Sequence, residues 1–272
     1  MSQKYYETAV LGATFLGLGA ALRLKNVVLI EKGGLFGKEF VNSYKVCEPT
    51  VVRPKTSLGE HFLSNLKKRG LVSEDGEIYQ APAVYVVSSY LKANPMDILL
   101  MTEVIRIQKV EGYYHITVYH SGGFETILAK QLIDTTTMGL GYRAVYGSGY
   151  DAVHKSGKAI RIDKYLNAVI TNPQGKKMDG LSFHAQSGLY TYTMPVNLNT
   201  SRYDAVEELC SKEKMFLAND MRISSIASDF SFTMQPLHEV IDSHFIWDPS
   251  TAYANLAEAF DRGVQIAEEE MV

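Results

Sequence analysis

The segment from Tyr6 to Glu31 constrains this chain more than any other. Tyr6 to Leu11 reads as a short buried strand that runs straight into Gly12, Leu16 to Leu24 as a helix with small residues on one side, and Asn26 to Ile30 as a second, β-branched strand ending at Glu31. Strand, glycine turn, helix and strand in so short a span form a βαβ unit, and such units build a parallel sheet. The turn is Gly12-Ala13-Thr14-Phe15-Leu16-Gly17. In a dinucleotide-binding turn the first glycine makes the bend, the second admits a pyrophosphate to the backbone, and the third lets helix and strand pack closely. Here the middle position is Thr14, whose Cβ crowds a diphosphate and whose hydroxyl can donate to one. The helix start still offers N–H groups and a positive dipole end. Glu31 stands 19 positions after Gly12, where a carboxylate accepts from a ribose 2′-OH and disfavours a 2′-phosphate. An α/β domain whose glycines serve only helix–sheet packing remains the alternative.

Further along, Leu58 to Arg69 has helical spacing, Tyr85 to Ala93 predicts another helix stopped before Pro95, and Ile98 to Met101 a strand. Three alternating runs, 103–109, 113–119 and 124–129, are separated by Glu111-Gly112 and Ser121-Gly122-Gly123 and read as an antiparallel meander. Lys130 to Thr135 returns as a short strand. From Met138 to Pro236 tyrosine, glycine and short alternating stretches dominate, with one helix expected at 202–215. A strand at 244–247, Asp248 and a strong helix at 252–270 close the chain. The expected architecture is α/β. A Rossmann-like domain with a parallel sheet and a β-meander (about 103–130) is formed by residues 1–137 and 237–272, and a smaller, mixed β-rich domain by 138–236. Gly139-Leu-Gly141 and Gly147-Ser-Gly149 lead into no apolar helix and are read as turns.

Composition narrows the partners. A formal net charge of −3 over 272 residues gives no electrostatic reason to expect nucleic acid or an anionic membrane. The two cysteines, Cys47 and Cys210, form no CxxC pair and fit a reducing cytoplasm. The apolar run from Ala9 to Leu24 has no cationic leader and is interrupted by glycines, so a soluble, cytoplasmic protein is expected. The seven histidines show no metal-binding spacing, and no metal is expected.

Three stretches together resemble the FAD-dependent oxidoreductases with a glutathione-reductase-like nucleotide fold. Val28-Leu-Ile-Glu31-Lys-Gly33-Gly34 is similar to that family's second strand, ribose-binding acid and glycine pair. Thr102-Glu-Val104, the meander and Ala129 to Thr137 are similar to its central stretch, with Thr136 and Thr137 in place of the usual Thr and Gly. Phe245-Ile-Trp-Asp248 followed by Asn255 to Gly263 is similar to its late Gly-Asp motif, with Trp247 in place of the glycine. The resemblance implies FAD as cofactor, held by Gly12, Ala13, Thr14, Phe15, Gly17, Glu31, Lys32, Val104, Thr135, Thr136, Asp248 and Asn255. It implies that Val104 meets adenine through its backbone and that Asp248 holds the ribityl or diphosphate region. It also implies that the last helix points its N-terminus at the flavin.

The 138–236 region is then expected to cover the flavin's reactive edge. His184, Tyr190, Tyr192 and Arg222 form the pool of candidate catalytic residues: a proton acceptor, an aromatic wall and a carboxylate clamp. For Tyr190 and Tyr192, packing against neighbouring strands is the competing reading. The expected activity is hydride transfer between flavin N5 and a small organic substrate, an amine, alcohol or unsaturated compound. A nucleotide-binding protein without redox turnover, acting as sensor or partner subunit, is the alternative. An NAD-dependent enzyme using the first turn alone leaves Asp248 and the last helix unexplained.

Overall fold

The structure is a computed structural model that describes residues 4–45, 47, 52–141, 143, 161–184, 187–235 and 237–269. Gly147-Ser-Gly149 lies outside them.

Strand β1 (Lys4–Leu11) and strand β2 (Val27–Ile30) lie parallel with the crossover helix α1 (Phe15–Arg23) between them. After the four-residue helix α2 (Lys38–Val41) come α3 (Ser57–Lys68) and α4 (Gln80–Ala93), which starts five residues earlier than its apolar pattern suggests. Strand β3 (Asp97–Leu99) pairs parallel with β2. The meander is β4 (Glu103–Val110), β5 (Tyr113–His120) and β6 (Gly123–Asp134). One expectation is corrected here: Lys130 to Thr135 is no separate strand. The twelve-residue β6 continues through it, and it pairs antiparallel with β5 in its first half and parallel with β1 over 127–134.

The second sheet is antiparallel. It contains β7 (Ile162–Thr171), β8 (Leu181–His184), β9 (Leu189–Val196), β10 (Arg222–Ile226) and β11 (Ser231–Met234). Between β9 and β10 the expected single helix is two, α5 (Arg202–Ser211) and α6 (Glu213–Leu217). The chain then returns to the first sheet through β12 (Glu239–Asp242) and β13 (Phe245–Trp247), and β13 joins β6 in parallel. It ends in α7 (Leu256–Glu269).

Strand periodicity sorts the side chains of the first sheet into two cores. Val10, Leu29, Ile133 and Ile246 face α1, α3, α4 and α7, with Phe15, Phe62 and Phe260 among the helical side chains they meet. Ala9, Leu11, Val28, Ile30 and Leu132 face the apolar side of the meander, Tyr114, Ile116 and Val118. Small residues bring α1 and α7 together: a Cβ on Gly19 would lie 2.1 Å from Phe260 O and one on Gly263 1.9 Å from Leu16 O. The two helices run the same way. Leu16 N–H at the start of α1 donates to Ser250 Oγ just before α7, while Arg23 at the end of α1 pairs with Glu268 at the end of α7. Both positive ends therefore sit on one side of the sheet.

Candidate functional site

The glycine turn follows the buried end of β1. Gly12 takes φ +93°, a region closed to most side chains, and a Cβ there would lie 2.8 Å from Thr135 Oγ1. Thr14 caps α1: its Oγ1 accepts from Gly17 N–H at 3.0 Å. Thr135 sends its hydroxyl proton to Leu11 O at 2.8 Å, so at 2.7 Å Thr14 donates to Thr135 Oγ1. The Thr14 hydroxyl is thus spent inside the turn rather than offered to a diphosphate. Thr135 is a brace behind the turn.

Glu31 is buried at the end of β2. Its Oε2 accepts from Ala13 N–H at 3.0 Å, and its Oε1 accepts from Gly33 N–H at 2.6 Å and meets Lys38 Nζ at 2.7 Å. Each carboxylate oxygen has two lone pairs, so Oε2 keeps one acceptor position for a ribose hydroxyl. Lys32 pairs with Glu103 at 2.7 Å on the surface. At the end of β6, Thr136 donates twice to Asp134 Oδ1, and Gly141 N–H donates to Asp134 Oδ2 at 2.6 Å. Burial pushes the Asp134 carboxyl up, against those hydrogen bonds.

These elements converge. A cavity of about 370 Å³ is lined by Gly12, Thr14, Glu31, Lys32, Val104 and Thr136 from the sequence-derived set. Lys38, Glu39, Glu103, Asp134, Met138, Leu140 and Arg143 also line it, and sequence reading missed them. Asp134 ends the strand of a motif already singled out. Lys38 and Glu39 sit in a segment with no period, and only the fold brings them here.

Other members of the set do different work. Ala13 and Phe15 contribute backbone amides to Glu31 and Glu39, and Gly17 packs against Gly12, where a Cβ would lie 2.2 Å from Gly12 O. Asp248 is fully buried outside the cavity lining, with Arg262 Nε at 3.2 Å, His238 Nδ1 at 3.0 Å and the Tyr253 hydroxyl donating at 2.8 Å. Asn255 caps α7, its Oδ1 accepting from Ala257 and Glu258 N–H at 3.0 Å each. Trp247 buries its indole under the loop after β6 and donates to Thr136 O at 2.9 Å.

The residues present therefore treat the two halves of FAD differently. Glu31 with its spare acceptor, the glycine bend and Val104 suit the nucleoside half. At the start of α1 the amides are already taken: Phe15 N–H donates to Glu39 Oε1 at 2.8 Å, Leu16 N–H to Ser250 Oγ at 3.4 Å and Gly17 N–H to Thr14 Oγ1 at 3.0 Å. The Ser250 hydroxyl donates to the same Glu39 oxygen at 2.9 Å, while Glu39 Oε2 is buried without a partner among the described residues. The helix-start amide that would suit a diphosphate meets a carboxylate of the chain itself.

The candidate catalytic residues separate. Tyr190 and Tyr192 share a strand face with Met194, and that face packs under α5 and α6, with Tyr192 edge-on to Phe216 at 5.1 Å. Both pack against neighbouring elements on the second sheet. Arg222 is exposed at the start of β10, opposite the last residue of β7. His184 lies on the other side of the second sheet, where Val169, Thr191 and Leu189 meet residues 41–45 and 77–81 around a cavity of about 200 Å³. Its Nδ1 contacts Glu77 Oε1 at 2.5 Å, and its Nε2 is buried without a partner among the described residues.

No protein-family model matches the sequence. No curated protein matches it. Solved structures do share its fold. A geranylgeranyl bacteriochlorophyll reductase-like protein from Thermoplasma acidophilum superposes with a TM-score of 0.64 at 12% identity, covering 99% of this chain and 79% of that one. Glycine oxidase from Geobacillus kaustophilus gives 0.63 at 11% identity, covering 98% and 94%. A flavoprotein/dehydrogenase from Cytophaga hutchinsonii gives 0.58 at 12% identity, covering 98% and 78%. The chain thus has the fold of flavoprotein structures over nearly its whole length. Among the described residues no helix is long and apolar enough to cross a membrane.

Proposed function

We propose that this chain is an FAD-dependent oxidoreductase of the glutathione-reductase-like type, acting on a small amine, alcohol or unsaturated compound. The observation that carries the reading is the convergence of Gly12, Glu31, Val104 and Thr136 on one cavity, in a fold shared with a flavoprotein/dehydrogenase and a glycine oxidase. When bound, FAD supplies a hydride acceptor or donor at flavin N5. The chain's residues hold and orient. Glu31 accepts from a ribose hydroxyl, the bend at Gly12 lets the ligand approach the backbone, and Lys32, Val104 and Thr136 line the rest. His184 is the member of the catalytic pool equipped to take a proton. Its Nδ1–H donates to Glu77, which leaves the Nε2 lone pair to accept from a hydroxyl or amine.

A second reading, FAD or nucleotide binding without turnover, is favoured by two observations. Glu39 occupies the first amide of α1, and Asn255 occupies two amides in the first turn of α7. Reconstituting purified protein with FAD and following the flavin colour tests both readings. An oxidoreductase turns yellow and bleaches with a metabolite or nicotinamide donor. A binding protein turns yellow and bleaches only with dithionite. Colourless protein after reconstitution defeats the FAD reading.

A further inference from the structure

Glu39 is placed by contacts outside its own helix. Gly37 N–H donates to Ala13 O at 2.7 Å, which ties the start of α2 to the glycine turn and brings the Glu39 carboxylate to the first amide of α1. The residue is 9% exposed, lines the cavity, and carries an oxygen, Oε2, that meets no donor among the described residues. A helix start stabilises one anion; a second anion on the same amides meets Coulomb repulsion in a place from which water is largely excluded. Resting on the FAD reading above, we propose that Glu39 is an internal anion holding the diphosphate seat, so that a nucleoside diphosphate enters only as Glu39 takes up a proton.

The neutral acid keeps Oε1 as acceptor for the Phe15 amide and turns Oε2–H into a donor for a phosphate oxygen. The carboxylate offers only lone pairs to that negative charge. One proton therefore comes from solvent for each diphosphate bound where Glu39 is otherwise ionised, and none where it is already neutral. Among the described residues, Glu31 and Lys38 form an ion pair beside it, Asp134, Arg143 and the Lys32–Glu103 ion pair line the same cavity, and Lys45 follows α2 with its Nζ donating to Thr251 O and Tyr253 O. Of the packed elements, α1 adds only Arg23 and α4 only Lys92 in their last turns, while β11 and residues 250–252 carry no charged side chain. Burial, helped by the nearby Glu31, pushes the Glu39 carboxyl up to about 7, so the exchange falls in the neutral range.

The test compares FAD, ADP-ribose and adenosine binding to wild type and Glu39→Gln from pH 6 to 9, by fluorescence and calorimetry. For wild type, both diphosphates should weaken about tenfold per pH unit above about pH 7, while adenosine stays constant. In E39Q the diphosphates should bind with constant affinity, about a hundredfold tighter than wild type at pH 9. The wild-type pH series needs no variant and stands even if E39Q folds poorly. FAD binding that is independent of pH in wild type overturns the role of Glu39 and leaves the FAD reading intact. Failure of all three ligands to bind either protein at pH 6 removes the FAD reading, and this proposal with it.

Discussion

Around the start of α1 the chain supplies its own acceptors: Glu31 for Ala13 N–H, Glu39 for Phe15 N–H and Thr14 Oγ1 for Gly17 N–H. Two of these make separable predictions. The Glu39 carboxyl lies at about 7 when folded, above the ordinary glutamate value of about 4.3. The folded state therefore binds the proton more tightly, and stability falls as pH rises from about 4.3 to about 7, by at most about 4 kcal/mol. Glu39→Gln removes that slope. Its melting temperature relative to wild type should rise between pH 5 and pH 8, and a difference that stays constant with pH refutes the shift. Thr14→Ala loses the cap and should cost about 1 kcal/mol in denaturant melts, independent of pH.

Between elements, the tightest approach is that of α1 and α7. Gly263→Ala improves helix propensity by about 1 kcal/mol, yet its methyl would lie 1.9 Å from Leu16 O. The helices must separate, and a net loss of about 1–3 kcal/mol is expected in urea unfolding. A gain in stability would mean the helices have room that this packing denies. The Asp248 cluster fastens the end of β13 to the middle of α7 through Arg262. Arg262→Ala leaves a buried carboxylate with only His238 and Tyr253, and should destabilise by about 3 kcal/mol. Asp248→Asn should cost less, because the amide keeps an acceptor for the tyrosine hydroxyl.

Across the molecule, the second sheet meets the first part of the chain through polar contacts. Asn167 Nδ2 donates to Ser43 O at 2.7 Å, Tyr44 shares a hydrogen bond with Ser225 at 2.9 Å, and His184 contacts Glu77. The function proposed for His184 belongs to this scale, since its partner and its cavity come from the other side of the contact. His184→Asn should leave FAD content unchanged and lower kcat by about 10²–10⁴-fold. A variant with full turnover would assign the pair to holding the two sheets together. Most of the fold was legible before its coordinates: the βαβ unit, the meander, and the return of the chain through 245–247 into a final helix. The boundary between 129 and 130 was not, because a strand that changes partners midway looks like two strands to any local pattern.

Gly12, Glu31 and Val104 could be placed at the cavity from local rules because each owes its position to a turn or a strand end. The sequence by itself therefore determined the parallel βαβ frame and the residues that the glycine turn and the end of β2 bring to the cavity. It could not say where Asp248 and Asn255 direct their side chains, since Arg262, Tyr253 and the first turn of α7 compete for them only once the helix is packed. Nor could it say which strand face Tyr190 presents to α5 and α6. Glu39 is the sharpest case. It lies eight positions beyond Glu31 in a segment without period, and only the tertiary structure, by pinning Gly37 to Ala13, decided that its charge would stand at the end of a helix it does not belong to.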